Sequence, residues 1–238
     1  MPNERNISTD RFFTCLISGE RRQARQLIDE ALSQVDDPVE VISAIIWPCL
    51  EQLQRLNRED QLTNLAYHYA TRLLHQIIDH LQPKLPTRAS RGQKILMVCG
   101  DEILEELAAQ LGADLLEAEG FDVYLAGGGI ANDEIVEELS QIEADKLVVF
   151  GVIPATVPQT RLLIDRLHEI GACPNLQITV GGGVFNRAEG LAEEIGADLW
   201  ALDPLELVET ITDEPERRMI PEQRTVGRKR KPSSRKAA

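Results

Sequence analysis

The sequence predicts an α/β protein, with an N-terminal four-helix bundle over residues 1–82 followed by a five-stranded, parallel, doubly wound sheet over residues 94–214. Three observations lead there. Apolar residues recur at helical spacing through the first 82 residues. The period then changes to short, continuous apolar runs, as expected of strands buried on both faces. Each run is followed by an amphipathic stretch, five times over, which is the pattern of a parallel sheet wound by helices.

Asp10 or Thr9 can cap a first helix carrying Phe12, Phe13, Leu16 and Ile17, and Gly19 ends it. A second helix from about Glu20 to Val35 holds Ala24, Leu27, Ile28, Ala31 and Leu32. Asp37 caps the third, with Pro38 at its first position. Pro48 falls inside that helix and should kink it. The fourth, from about Asp60 to Leu81, places Leu62, Leu65, Tyr69, Leu73, Ile77 and Leu81 on one side. Short connections between such helices give an up-down bundle. Residues 83–93, PKLPTRASRGQ, read as a linker. Strands are expected at KILMVC, FDVYLA, KLVVFG, LQITVG and ADLWAL. The intervening helices begin near Glu102, Asp133, Val157 and Arg187, and a last helix begins at Pro204.

Composition narrows the function. The apolar share is 43%, aromatics are 4%, and no run approaches the ~18 apolar residues of a membrane span, so a cytoplasmic, membrane-free protein is expected. The four cysteines lie far apart, with no C-x-x-C pair, which argues against a thiol zinc site and a disulfide scaffold. The net charge of −14 is split. From Arg217 onward there are nine basic residues and one acid, so this tail carries +8 and residues 1–216 carry −22. Such an acidic body repels nucleic acid. The basic tail (215–238) reads as disordered; an RNA, a DNA or an acidic partner could still meet it.

Glycine collects where open α/β sheets bind ligands, outside the carboxyl ends of the strands. Gly100, Gly127-Gly128-Gly129, Gly151 and Gly181-Gly182-Gly183 all fall at such ends, and together they predict a binding crevice. They form no G-x-G-x-x-G and no phosphate-loop motif. No Ser-His-Asp, Cys-His or paired-carboxylate constellation points to independent catalysis.

Several segments carry a resemblance. GDEILEELAAQLGADLLEAEGFDVYLAGGG, VVFGVIPATVPQTRLLIDRL, ITVGGGVFN and GADLWALDP, behind a helical region containing Tyr67-His68-Tyr69-Ala70-Thr71, resemble the cobalamin-binding module of corrinoid carriers and B12-dependent regulators. The likeness spans about residues 15–212 and implies a helical cap on a flavodoxin-like domain. It further implies cobalamin as cofactor, held by Gly100, Asp101, Gly127, Gly128, Gly151, Val152, Ile153, Gly181, Gly182, Gly183 and Asp203. His68 is the candidate cobalt ligand from the bundle side. The module's Asp-x-His-x-x-Gly motif is broken here. Asp101 matches, but Ile103 stands at the histidine position, or Glu105 if two residues are inserted, and Glu106 stands for the glycine. The serine after the third strand is Gly151, and the bundle's glutamate is Tyr67. A protein histidine beneath cobalt is therefore not expected; the cofactor's own base, or water, would be there.

ILMVCGDE and VVFGVIP also resemble response-regulator receivers. Asp101 and Glu102 could hold Mg²⁺, but the phosphoacceptor position is Phe150 or Gly151, which implies a pseudo-receiver at most. The first expectation is a non-catalytic sensor or adaptor that binds a corrinoid between bundle and sheet and signals to a protein partner. The alternatives are a cofactor-free interaction protein or pseudo-receiver on this fold and, after them, a corrinoid methyl-carrier subunit. A homo-oligomer stays open.

Overall fold

The computed structural model describes residues 3–151, 154–171 and 173–219, with side chains described from residue 9 onward. The helical region comprises α1 (Asn3–Ser18), α2 (Arg21–Leu32), α3 (Val39–Val41), a π turn (Ile42–Ile46), α4 (Trp47–Arg58) and α5 (Asn64–Leu81). The sheet region comprises β1 (Lys94–Cys99), α6 (Ile103–Ala118), β2 (Asp122–Gly127), α7 (Asn132–Gln141), β3 (Lys146–Phe150), α8 (Val157–Ile170), β4 (Gln177–Gly181), α9 (Leu191–Ile195), β5 (Leu199–Ala201) and α10 (Pro204–Asp213). All neighbouring strands pair in parallel, in the order β2-β1-β3-β4-β5. The order reverses between β1 and β3, so the ligand crevice of such a sheet belongs at their carboxyl ends.

Alternation along the strands builds two cores. Ile95, Met97, Val148, Phe150, Leu199 and Ala201 face one side, where α6 and α10 pack. Leu96, Val98, Leu147, Val149, Ile178 and Val180 face the other, beneath α7, α8 and α9. The first core is continuous with the helical region through Leu50, Leu53, Leu73, Leu74 and Ile77. The helices are thereby fixed to one side of the sheet by shared apolar burial.

The expected kink at Pro48 is instead a π turn. Proline has no N–H, and its ring clashes with the carbonyl four residues back, that of Ala44. The chain widens at this point, and Trp47 donates to the Ile42 carbonyl five residues earlier. The Ala44 carbonyl, deprived of its helical donor, accepts the Thr9 hydroxyl at 3.2 Å. Thr9 and Asp10 therefore do not cap α1, which begins earlier, at Asn3. The buried face of α5 is also displaced from the expected one. Leu65 is 61% and Tyr69 43% exposed, while Ala70, Leu74 and Ile78 join Leu73, Ile77 and Leu81 inside. The helix begins at Asn64, with Thr63 accepting from Ala66 N–H.

The linker is strapped down. Arg88 N–H donates to Ala118 O at 3.0 Å and Arg91 N–H to Gly120 O at 2.8 Å. Both guanidiniums reach Glu119, and that of Arg91 lies 5.0 Å from the Phe121 ring centroid. The helix expected from Arg187 shortens to α9, because residues 187–190 turn instead and the left-handed Gly190, at φ +85°, stands just before Leu191. The chain after α10 is tied to the amino ends of the strands. Lys146 Nζ donates to Gln177 Oε1 at 2.7 Å, and Gln177 Nε2 donates to Glu214 O and Arg217 O. Asp198 accepts from Met219 N–H at 2.6 Å. The basic tail thus starts at the end of the sheet opposite the glycines; residues 220–238 lie outside the described residues.

Thr9→Val should lower stability by about 1 kcal/mol, since the Ala44 carbonyl then loses its donor. In a Pro48→Ala background the loss should shrink, because residue 48 regains an N–H. A double-mutant cycle by urea denaturation measures that coupling.

Candidate functional site

The strand-end glycines form a continuous edge. A Cβ on Gly128 would collide with the Gly100 carbonyl, and one on Gly100 would lie 3.1 Å from Gly151 O. Gly151 N–H donates to Gly181 O at 2.8 Å, and Gly182 N–H to Ala201 O at 3.0 Å. The expected site glycines are therefore brought together. Val152 and Ile153, expected beside them, lie outside the described residues.

What several of these glycines make room for is the chain itself. A Cβ on Gly100 would collide with Glu105 Oε2. Gly151, at φ +80°, would place one 3.1 Å from Glu105 Cβ. At Gly181 and Gly182 the obstruction is the Phe150 ring, at 2.7 and 2.9 Å. The switch point is thus filled by Glu105 and, next to it, Phe150. Sequence reasoning missed Phe150, since an apolar strand residue carries no signal of this kind. The mouth differs: nothing lies within 4 Å of a Cβ at Gly127, and at Gly129 only Asp101 Oδ1 does, at 3.6 Å.

Glu105 is 4% exposed. Its Oε2 accepts from Glu102 N–H at 3.4 Å, while Oε1 has no hydrogen-bond partner. Burial pushes its carboxyl up to about 7; the Glu102 N–H opposes the shift, and the Glu102 and Asp101 charges add to it. Ile103, the other position aligned with the missing histidine, is 42% exposed. Cys99, at the end of β1, is pushed up to about 12 by burial and by Glu106, Glu105 and Asp101, so its thiol stays protonated at neutral pH.

The helical region meets this edge through α4 and α5. Gln54 Nε2 donates to Leu104 O at 3.4 Å. Glu51 holds its proton more tightly than usual because of burial first and the Asp203 charge second, while a hydrogen bond from Trp47 opposes this. Asp203 itself caps α10, accepting from Glu206 N–H at 2.8 Å. Tyr67 is half-buried, and burial, Glu102 and Glu105 all raise its hydroxyl pKa. His68 is exposed, with its ring edge-on to Tyr67 at 5.7 Å. His75 and His80 pair with Asp79 and Asp29, and His168 lies in the last turn of α8. None of the four histidines stands on a strand end. Among the described residues no group of three metal-ligating side chains converges, and no helix is long and apolar enough to cross a membrane.

The fold and the glycine edge at its switch point define a ligand-binding α/β module with a helical partner region. Two B12 binding domain family models match it, one over residues 93–209 and the other over residues 9–82, and the chain belongs to this cobalamin-binding family. Dimethylamine corrinoid protein 1 of Methanosarcina acetivorans is 24% identical over 133 residues. That match covers 55% of this chain and 62% of the relative, so the chain spans less than two thirds of that protein. Dimethylamine corrinoid protein 3 of the same organism is 22% identical over 196 residues, covering 81% of this chain and 90% of the relative. The structure of the Methanosarcina barkeri monomethylamine corrinoid protein superposes with a TM-score of 0.72 at 17% identity, over 86% of this chain and 96% of that one, a likeness of fold. The donor set of this chain fits such a cofactor in one manner. The edge is open at Gly127 and Gly129, while Glu105 occupies the space between Gly100 and Gly151.

Glu105 makes stability depend on pH with a definite sign. Unfolded, it loses its proton near 4.5; folded, near 7. Folding takes up a proton between these values, so stability falls as pH rises through that window. Glu105→Gln should therefore gain on the order of 1–2 kcal/mol over wild type at pH 8 and almost nothing at pH 4.5. Urea melts at both values test this. Asp114, also pushed up to about 7, mainly by burial, keeps part of the slope in both proteins.

Proposed function

We propose that this chain binds a corrinoid over its glycine edge, beneath the helical region, and acts as a sensor or adaptor rather than as a catalyst. The carrying observation is that Glu105, not an imidazole, stands inside the switch point. When bound, cobalamin would supply a cobalt centre able to exchange a ligand, without a protein imidazole from the sheet's switch point. The backbone at Gly100, Asp101, Gly127 and Gly128 would support the ligand, with Gly181, Gly182, Gly183 and Asp203 along the rest of the edge. His68, exposed beside Tyr67, is the bundle's candidate for the upper face. A ligand touching both regions would shift their relative position according to its state, and a protein partner would read that shift. The two family models and the corrinoid proteins among the relatives support cobalamin as the ligand.

A second reading is a corrinoid methyl carrier served by a methyltransferase partner. The relatives named as methylamine corrinoid proteins favour it.

The protein incubated in the dark with adenosylcobalamin or hydroxocobalamin and then desalted should retain corrinoid absorbance. His68→Ala should weaken retention at least tenfold. A folded protein that elutes colourless would contradict the proposal. Illumination, which cleaves the cobalt–carbon bond of adenosylcobalamin, should change the elution volume of a loaded sensor and leave that of a carrier unaltered.

A further inference from the structure

The carboxyl inside the switch point closes a capping box on α6 with Glu102, and that role accounts for only one of its oxygens. Glu105 is buried, yet Oε1 meets no donor, and Oε2 has one long bond from Glu102 N–H. A capping box uses one carboxylate oxygen and can be made by an acid in contact with solvent, so it does not require the burial of Glu105. Glu106, on the same turn, is exposed. The cost of burying Glu105 is accompanied by glycine at both flanking strand ends. Gly100 leaves room for its carboxyl group and Gly151 for its Cβ and backbone. The site therefore has the form of a recess between β1 and β3 with a side chain seated in it.

We propose that Glu105 is a specificity-determining stopper, which keeps the interior of the switch point closed to any arm of a bound ligand. The inference rests on the corrinoid reading above. It assigns to Glu105 the choice among corrinoids: the macrocycle is accepted at the mouth, and a nucleotide arm released from cobalt finds no space beneath it. Wild type should then discriminate little between cobalamin and cobinamide, which has the same macrocycle and lacks the nucleotide arm. Filling, rather than charge, is the operative property. Glu105→Gln keeps the volume and should behave as wild type. Glu105→Ala empties the recess beside Gly100 and Gly151.

The test is spectral titration of the full chain with hydroxocobalamin and with aquacobinamide, for wild type, Glu105→Gln and Glu105→Ala. Wild type and Glu105→Gln should bind the two corrinoids within about threefold of each other. Their bound cobalamin should keep the spectrum of the base-coordinated form. Glu105→Ala should prefer cobalamin at least tenfold and shift its spectrum towards that of the base-displaced form. A folded Glu105→Ala protein with the wild-type ratio and spectrum overturns the stopper, as does base displacement by wild type itself. If no variant retains either corrinoid, the corrinoid reading fails and the stopper with it. Should Glu105→Ala not fold, a marked cobalamin preference in Glu105→Gln would still overturn the inference.

Discussion

A buried carboxyl between two glycines organises the edge at this sheet's switch point. Glu105 can sit inside the sheet's switch point only because Gly100 and Gly151 present no side chains there. Burial of the acid raises its proton affinity, and the nearby Asp101 and Glu102 charges reinforce the shift. The resemblance calls for an imidazole at Ile103 or, with two residues inserted, at Glu105, and neither residue supplies one. One side chain thus accounts for the glycine at two strand ends and for part of the pH dependence of stability.

Much of the architecture was legible in the sequence because it follows from apolar patterning. Continuous runs such as KLVVF mark strands buried on both faces, and β3 and β4 are buried at every position. The helices were placed by periodicity, with errors where local chemistry intervened. Pro48 announced a disturbance but not its form; the π turn needs Thr9 from another helix to satisfy Ala44, a long-range contact no local pattern contains. The buried face of α5 was misplaced because Leu65 and Tyr69, in its first turns, keep the helical period while remaining exposed. At the site, the glycines were visible as residues, whereas the neighbours they accommodate were not. Glu105 looked like one acid among several at a helix start. Only the three-dimensional arrangement shows that it points inward while Ile103 points out.

The placement of the helical region gives the edge a second wall. One apolar core runs from α4 and α5 through α6 to the sheet, so the helices cannot be regarded as a separate appendage. Tyr67 and Glu51 feel the charges of the sheet domain's loops, which ties protonation on one side to that on the other. The segment leading to the basic tail is anchored at the far ends of the strands by Gln177 and Asp198. The glycine edge and the segment leading to the tail therefore lie at opposite ends of the sheet.

The central claim is that a corrinoid lies over the glycine edge and beneath the helical region. Hydrogen–deuterium exchange of the full chain, with and without saturating hydroxocobalamin, tests it most directly. The account predicts slowed exchange in residues 100–106 and 127–131 and in the first turns of α5 around Tyr67 and His68, with the amino ends of the strands unchanged. Slowing confined to other surfaces, or none at saturation, would contradict it.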